Sequence, residues 1–290
     1  MKGKGMVRIQ SVERFFAFVV VLVFVFFVIS PQELTCEVPK SRDYRLNKEF
    51  LIGFGNDVFE VVKSPGSWES KDWWRLTAVL GTGGLLYAFD EKIHDWSLDR
   101  RTPATEDWAK FGSFLGNGVF LGGLITTLYL GGEIFDERGL RKTALLGLES
   151  WLTAGAFVLG LKAITGRSRP YTELGAHYFK PFSFSSKHHS LPSGHAASIF
   201  AVAAVIADQT EGVLIDVVAY SLSTLAAFSR VHESKHWPSD VFIGAAIGYF
   251  IGKKICSLHR EHGGEQDKKK IQLGFFLRPN VKGLTINFSW

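Results

Sequence analysis

Cysteine is scarce: the 290 residues hold two, Cys36 and Cys256, at opposite ends of the chain. That excludes a disulfide framework and a cysteine-rich zinc module, because each needs several thiols at close spacing. A long basic stripe is also missing. Lys and Arg number 33 against 28 Asp and Glu, and the +5 excess is spread along the chain, which argues against nucleic acid as a partner and suits a membrane surface. Charged residues are 21% of the whole and hydrophobic residues 46%, so intrinsic disorder is excluded and one large domain or two small ones can be built.

What is present begins with an address. Lys2, Lys4, Arg8 and Arg14 precede an uncharged apolar run at 15–29. A basic start followed by an apolar stretch shorter than the roughly 20 residues that span a bilayer is the pattern of an export signal. No clear small-x-small cleavage site follows, so residues 1–30 read as a signal peptide or an uncleaved signal anchor. Glu33 stands where a lipoprotein signal ending at Cys36 would carry an apolar residue.

Residues 31–72 are polar and punctuated by Pro39, Pro65 and Gly66, which predicts a linker with one short helix. Apolar runs then recur at 74–89, 111–130, 143–161, 196–207, 213–228 and 241–251. They predict six helices within a domain at 73–257. The run at 111–130 is long enough to cross a membrane, and those at 196–207 and 241–251 have the length of buried core helices. Hydropathy alone leaves open both a membrane bundle and a compact helical domain. Residues 258–290 open with a polar segment that includes Lys268, Lys269 and Lys270, and then alternate apolar and polar residues on either side of Arg278, Pro279 and Asn280. Period two predicts a C-terminal β-hairpin, packed on the helical domain because two strands cannot close a barrel.

Three polar clusters interrupt the apolar pattern: Lys162 with Arg167, Arg169 and Pro170; Pro192, Ser193, Gly194 and His195; and Ser229, Arg230, His236 and Asp240. Each lies at a predicted helix end. The chain leaves a helix at Lys162, enters one at His195, leaves one at Arg230 and enters one at Asp240, so all three return to one end of the bundle. Lys162, Arg169 and Arg230 would surround a tetrahedral dianion. Ser193 and Gly194 at a helix start add an N-cap and open backbone amides, which makes a phosphate cradle without metal. His236 lies four residues before Asp240, close enough for the carboxylate to orient one ring nitrogen while the other attacks. His195, in the cradle, suits protonation of a leaving alkoxide. Arg167 is expected to support the pocket rim.

These residues resemble the three-part signature of the type 2 phosphatidic acid phosphatase and vanadium haloperoxidase superfamily. Lys162, six residues, Arg169 and Pro170; Pro192 to His195; and Ser229 and Arg230, five residues, His236, three residues, Asp240 agree with it in order and spacing. The resemblance covers roughly residues 74–255. It implies an all-α fold with a six-helix core, a phosphohistidine at His236, an acid at His195, and phosphate contacts from Lys162, Arg169, Ser193, Gly194 and Arg230. The activity it implies is metal-independent hydrolysis of phosphate monoesters or pyrophosphates, with a phosphorylated membrane lipid or a small phosphate ester as partner and no cofactor. The expected setting is the cell envelope, membrane-associated.

Rival readings exist. A vanadate-loaded version of the same pocket would oxidise halides. His232, Glu233 and His236 spell H-E-x-x-H, the pattern of a zinc hydrolase when it lies on one helix face. Pro238 disfavours helix at Trp237, and no third ligand follows at a recognisable spacing. His232 is accordingly expected at the pocket rim or surface, and His188 and His189 in solvent. Asp90 and His94 are expected as a surface pair, Glu149 either as an intramembrane functional acid or beside Arg141 or Lys142, and Tyr171, His177, Tyr178 and Phe179 around the substrate entrance.

Overall fold

The computed structural model describes residues 44–210 and 212–260, and the backbone of 271–278 and 281–288. The basic start, the apolar run at 15–29, Cys36 and the lysines at 268–270 lie outside the described residues.

Eight α-helices occur among the described residues: α1 (Lys48–Lys63), α2 (Ser70–Leu98), α3 (Pro103–Leu115), α4 (Gly118–Ile134), α5 (Arg138–Thr165), α6 (Gly194–Gln209), α7 (Val213–His232) and α8 (Pro238–Leu258). Within the stretch expected as a linker with one short helix, α1 is that helix and runs for 16 residues. Asn47 caps α1 by accepting from the Phe50 amide, and Phe50 and Val61 are buried, so this helix is held by packing. Pro65 and Gly66 then form the short 3-10 turn Ser64–Ser67.

The uncharged run at 111–130 is broken rather than straight. Asn117 accepts from the Val119 amide and starts a new helix, and α3 and α4 meet at a 53° bend. The bend lets the backbone at Gly116 approach His195: a Cβ there would lie 3.2 Å from the imidazole. Hydropathy counts apolar residues and is blind to a capping side chain in the middle of a run.

α6 is the centre of the bundle and packs against α5, α7 and α8. Its partners approach closely because small residues meet. Gly244, Gly248 and Gly252 recur every four residues on one face of α8. A Cβ at Gly248 would fall 2.1 Å from the Ala197 carbonyl oxygen, and one at Gly252 would fall 2.7 Å from that of Ala201. Around this seam Phe200, Ala204, Tyr220, Ala226, Ala245 and Tyr249 are buried in one apolar cluster.

Among the described residues three helices, α5, α7 and α8, are long and apolar enough to cross a membrane, or up to four spans if the bent α3–α4 pair counts as one. Leu80, Leu85, Val119, Ile134, Leu159 and Leu214 are exposed on the outside of the bundle, an apolar surface that fits lipid better than water. Beyond the helices, β1 (Ile271–Arg278) and β2 (Val281–Phe288) pair antiparallel, with Ile271 opposite Phe288 and Arg278 opposite Val281.

Candidate active site

The three clusters converge, as helix parity requires. Lys162 is in the last turn of α5, His195 in the first turn of α6, Arg230 near the end of α7 and Asp240 in the first turn of α8. Gly166 ends α5 in the left-handed conformation (φ 60°), and the segment from Arg167 to Ser193 folds back over the helix ends. Lys162 Nζ donates to the His189 carbonyl at 2.6 Å and Arg169 Nη2 approaches the same oxygen at 3.4 Å. One carbonyl thus gathers two of the three cations. Arg230 is held from the other side by Ser113 Oγ at 2.6 Å and Glu233 Oε2 at 2.7 Å.

Ser193 caps α6, its Oγ accepting from the Ala196 amide at 3.5 Å, while its own amide donates to the Asp240 carbonyl at 2.9 Å. The start of α6 is thereby locked to the start of α8. The helix end directs backbone amides and the positive end of its dipole toward the cations' side of the bundle.

His236 is buried, and its Nδ1 lies 2.7 Å from the Ser190 carbonyl oxygen. A carbonyl can only accept, so Nδ1 carries the proton and Nε2 keeps its lone pair. Asp240 is not the hydrogen-bond partner expected from the four-residue spacing: its Oδ2 stands 4.0 Å from His236 Nδ1. That carboxylate is committed elsewhere, to Arg167 Nη1 at 2.6 Å, Ser190 Oγ at 2.5 Å and the Trp237 amide at 3.0 Å. Asp240 orients His236 indirectly, by fixing the Ser190 segment whose carbonyl holds the ring.

Arg167 is not at the rim. It is fully buried between two acids, with Nη2 donating to Asp90 Oδ2 and Nη1 to Asp240 Oδ1, both at 2.6 Å. Its remaining donors reach Ser239 Oγ and the Ala176 carbonyl. Tyr87, Phe179 and Trp237 present their rings to the guanidinium. Asp90 and His94 are correspondingly buried rather than a surface pair, and His177 packs edge-on against Tyr87. Tyr171, Tyr178 and Phe179 remain exposed.

Other expectations are corrected. His189 is half-buried, and its Nε2 pairs with the Ser183 carbonyl at 2.7 Å. Glu149 faces neither Arg141 nor Lys142; its Oε2 lies 3.5 Å from His259 Nε2. His232 is buried against Ser97 Oγ at 3.3 Å, and its carbonyl accepts from Arg101. Because α7 stops at His232, the H-E-x-x-H residues share no helix face: Glu233 goes to Arg230, and His236 to Ser190.

The electrostatics follow from this packing. Burial, and then the neighbouring Lys162, Arg169 and Arg230, hold the His236 imidazole well below its ordinary value. Burial, then Arg230, Arg169 and Lys162, push His195 down to about 4. Both histidines are therefore neutral near pH 7 and stand in the field of the same three cations.

Fold and site together define a membrane-associated helical bundle with a buried, cationic, two-histidine site at one end. A family model described as the PAP2 superfamily matches residues 143–262, the stretch from α5 to just beyond α8. Over 66 residues it is 35% identical to a lipid A 1-phosphatase of Porphyromonas gingivalis, covering 22% of this chain and 15% of that protein. Over 128 residues it is 31% identical to a decaprenylphosphoryl-5-phosphoribose phosphatase of Mycobacterium tuberculosis, covering 41% of this chain and 66% of that one. The chain thus spans less than two thirds of the length of the curated relatives it matches. The crystal structure of a transmembrane PAP2 type phosphatidylglycerolphosphate phosphatase from Bacillus subtilis shares the fold, with a TM-score of 0.51 and 22% identity over 64% of this chain and 98% of that one.

Proposed function

We propose that the protein is a membrane phosphatase that removes a terminal phosphate from a lipid monoester or pyrophosphate through a phosphohistidine on His236, with no catalytic metal. The observation that carries this reading is the state of His236. Its Nδ1–H is fixed on the Ser190 carbonyl, which leaves Nε2 unprotonated beside Lys162, Arg169 and Arg230. A nucleophile and the cations that bind its target occupy one place.

In the first half-reaction the Nε2 lone pair forms an N–P bond as the P–O ester bond breaks. His195 gives its proton to the departing oxygen. Lys162, Arg169, Arg230, Ser193 and the Gly194 amide hold the phosphoryl oxygens and stabilise their charge in the transition state. Water then attacks phosphorus, loses a proton to the now neutral His195, and the N–P bond breaks to release inorganic phosphate. His195 must be protonated for the first step although it is neutral in the free site. An incoming phosphate dianion offsets the three cations that depress it, so substrate binding itself raises its basicity. Asp240, Arg167 and Ser190 are positioning residues in this scheme.

A lipid substrate is supported by the phosphatases named above and by the setting. An apolar cavity of about 540 Å3, lined by Leu76, Val79, Leu161, Ile247 and Phe250, backs onto Leu191 and Pro192 of the loop that leads into Ser193. It offers an acyl or prenyl chain a place beside the phosphate cradle. The functional unit is the helical domain at 73–257, with α1 packed onto it.

The test is phosphate release by the full chain in detergent from lipid phosphates and an aryl phosphate, with and without vanadate. Vanadate-inhibited release that favours the lipids is expected. Release from no ester, together with halide oxidation by the vanadate-loaded protein, would replace the reading with a haloperoxidase.

A further inference from the structure

At the opposite end of the bundle a second polar cluster is buried. Asp57 of α1, Glu149 of α5 and His259 at the end of α8 are each under a tenth exposed, and one donor atom from each lies within 4.8 Å of the other two. Glu149 is 13 residues before Lys162, which places it about 20 Å along the helix from the phosphate site. His259 is 19 residues beyond Asp240, at the far end of α8. None of the three takes part in the chemistry above.

Glu149 is the decisive residue. Its side chain is wholly buried, and among the described residues neither carboxylate oxygen has a hydrogen-bond partner. Oε2 is aimed at His259 Nε2, at 3.5 Å, without the geometry of a hydrogen bond. A buried carboxylate left without donors is strongly unfavourable, so this position calls for a cation. His259 Nε2 also lies 3.0 Å from Asp57 Oδ2. Donor separations of 3.0 and 3.5 Å lie within about 0.3 Å of the edge of a tetrahedron built on bonds of 2.0–2.2 Å, which is about 3.3–3.6 Å. On α5, Thr153 follows one turn after Glu149, and its buried hydroxyl, like that of Ser150, has no hydrogen-bond partner among the described residues.

We propose that Asp57, Glu149 and His259 bind one divalent transition-metal ion, in the manner of one imidazole and two carboxylates with a fourth position open. The donor set is borderline to hard and suits zinc or manganese rather than a thiolate-seeking ion. The ion ties α1, α5 and the end of α8 together and so fastens the stretch preceding α2 to the helical domain. Its role is structural, since the phosphate site lies at the other end of the helices.

The experiment uses the full chain purified in detergent, stripped with chelator and reloaded with zinc(II) or cobalt(II). One equivalent is expected per chain, with the visible bands of four-coordinate cobalt and a higher melting temperature on loading. Glu149→Gln should weaken binding by more than about 100-fold, since a missing ligand costs more than a missing outer partner, and should abolish the thermal gain. Asp57→Asn should do the same if Glu149→Gln fails to fold, and His236→Ala should load normally while losing phosphate release. A stripped wild-type protein that binds no metal and melts unchanged would overturn the proposal and leave an acid–imidazole–acid clamp held by protons. Binding that survives in both Glu149→Gln and Asp57→Asn would overturn it equally.

Discussion

Replacing Arg167 with Met removes the cation between Asp90 and Asp240 while keeping much of the side chain's length. In the native protein that guanidinium makes two contacts of 2.6 Å to carboxylates and further bonds to Ser239 and the Ala176 carbonyl, all in a site closed to solvent. Removing one partner of a buried ion pair costs about 3–5 kcal/mol, because the remaining charge has neither water nor a counter-ion. At about 2–4 °C per kcal/mol for a domain of this size, the melting temperature should fall by about 6–20 °C. Tryptophan fluorescence during heating in detergent reads the shift. Because Asp240 also fixes Ser190 and the Trp237 amide, kcat should fall with it, while KM, governed by the phosphate contacts proposed for Lys162, Arg169 and Arg230, should change less. A triple variant, Arg167→Met with Asp90→Asn and Asp240→Asn, should recover part of the lost stability without recovering turnover. A melting temperature lowered by less than about 3 °C in the single variant, with activity intact, would refute the claim that this triad is the site's scaffold.

Three further predictions concern the site and the seam behind it. Free His236 and His195 both lie below the ordinary histidine range, so the fold binds fewer protons there than the unfolded chain: their contribution to stability is complete above pH 6.5 and is lost as pH falls through the depressed values. The acid limb of kcat/KM should likewise lie well below pH 6.5, and a limb centred at 6.5 would contradict the burial of His236. Arg230→Lys should lower kcat/KM by at least about tenfold, because a point charge cannot replace a planar fork held by Ser113 and Glu233; unchanged kinetics would remove Arg230 from the phosphate site. Gly248→Ala would set a Cβ 2.1 Å from the Ala197 carbonyl and should cost about 1–3 kcal/mol by overpacking, visible as a lower melting temperature. An unchanged melting temperature would show that α6 and α8 do not meet as closely as the structure has them.

The sequence makes the helix ends legible because they carry punctuation. The Ser193–Gly194 pair and Pro238 mark where α6 and α8 start, and counting direction along the chain then brings Lys162, His195, Arg230 and Asp240 to one end, although α5 stops at Gly166, four residues before Pro170. Side-chain partners are legible only where they are local. His236 and Asp240 are four residues apart and look like a pair, yet the carboxylate is captured by Arg167, 73 residues away, and by Ser190, 50 residues away. No periodicity reports such contacts. Asp90 ends an apolar run and reads as the solvent boundary of a helix, whereas a buried guanidinium from another segment makes the same position interior. The bend after Gly116 was available in principle, since Asn117 followed by Gly118 is a helix-start signal, but the apolar run on both sides outweighs it. The four-residue glycine spacing of α8 was also there to be read as a close helix contact.

Trapping the phosphoenzyme tests the assignment of His236 as nucleophile. The full chain in detergent is mixed with a lipid phosphate labelled in its phosphoryl group, quenched in alkali and separated from lipid. Wild-type protein should carry label that survives alkali, is lost in acid and maps to His236, with none on His236→Ala. Phosphate release by His236→Ala at the wild-type rate, or label that persists in that variant, would contradict that assignment.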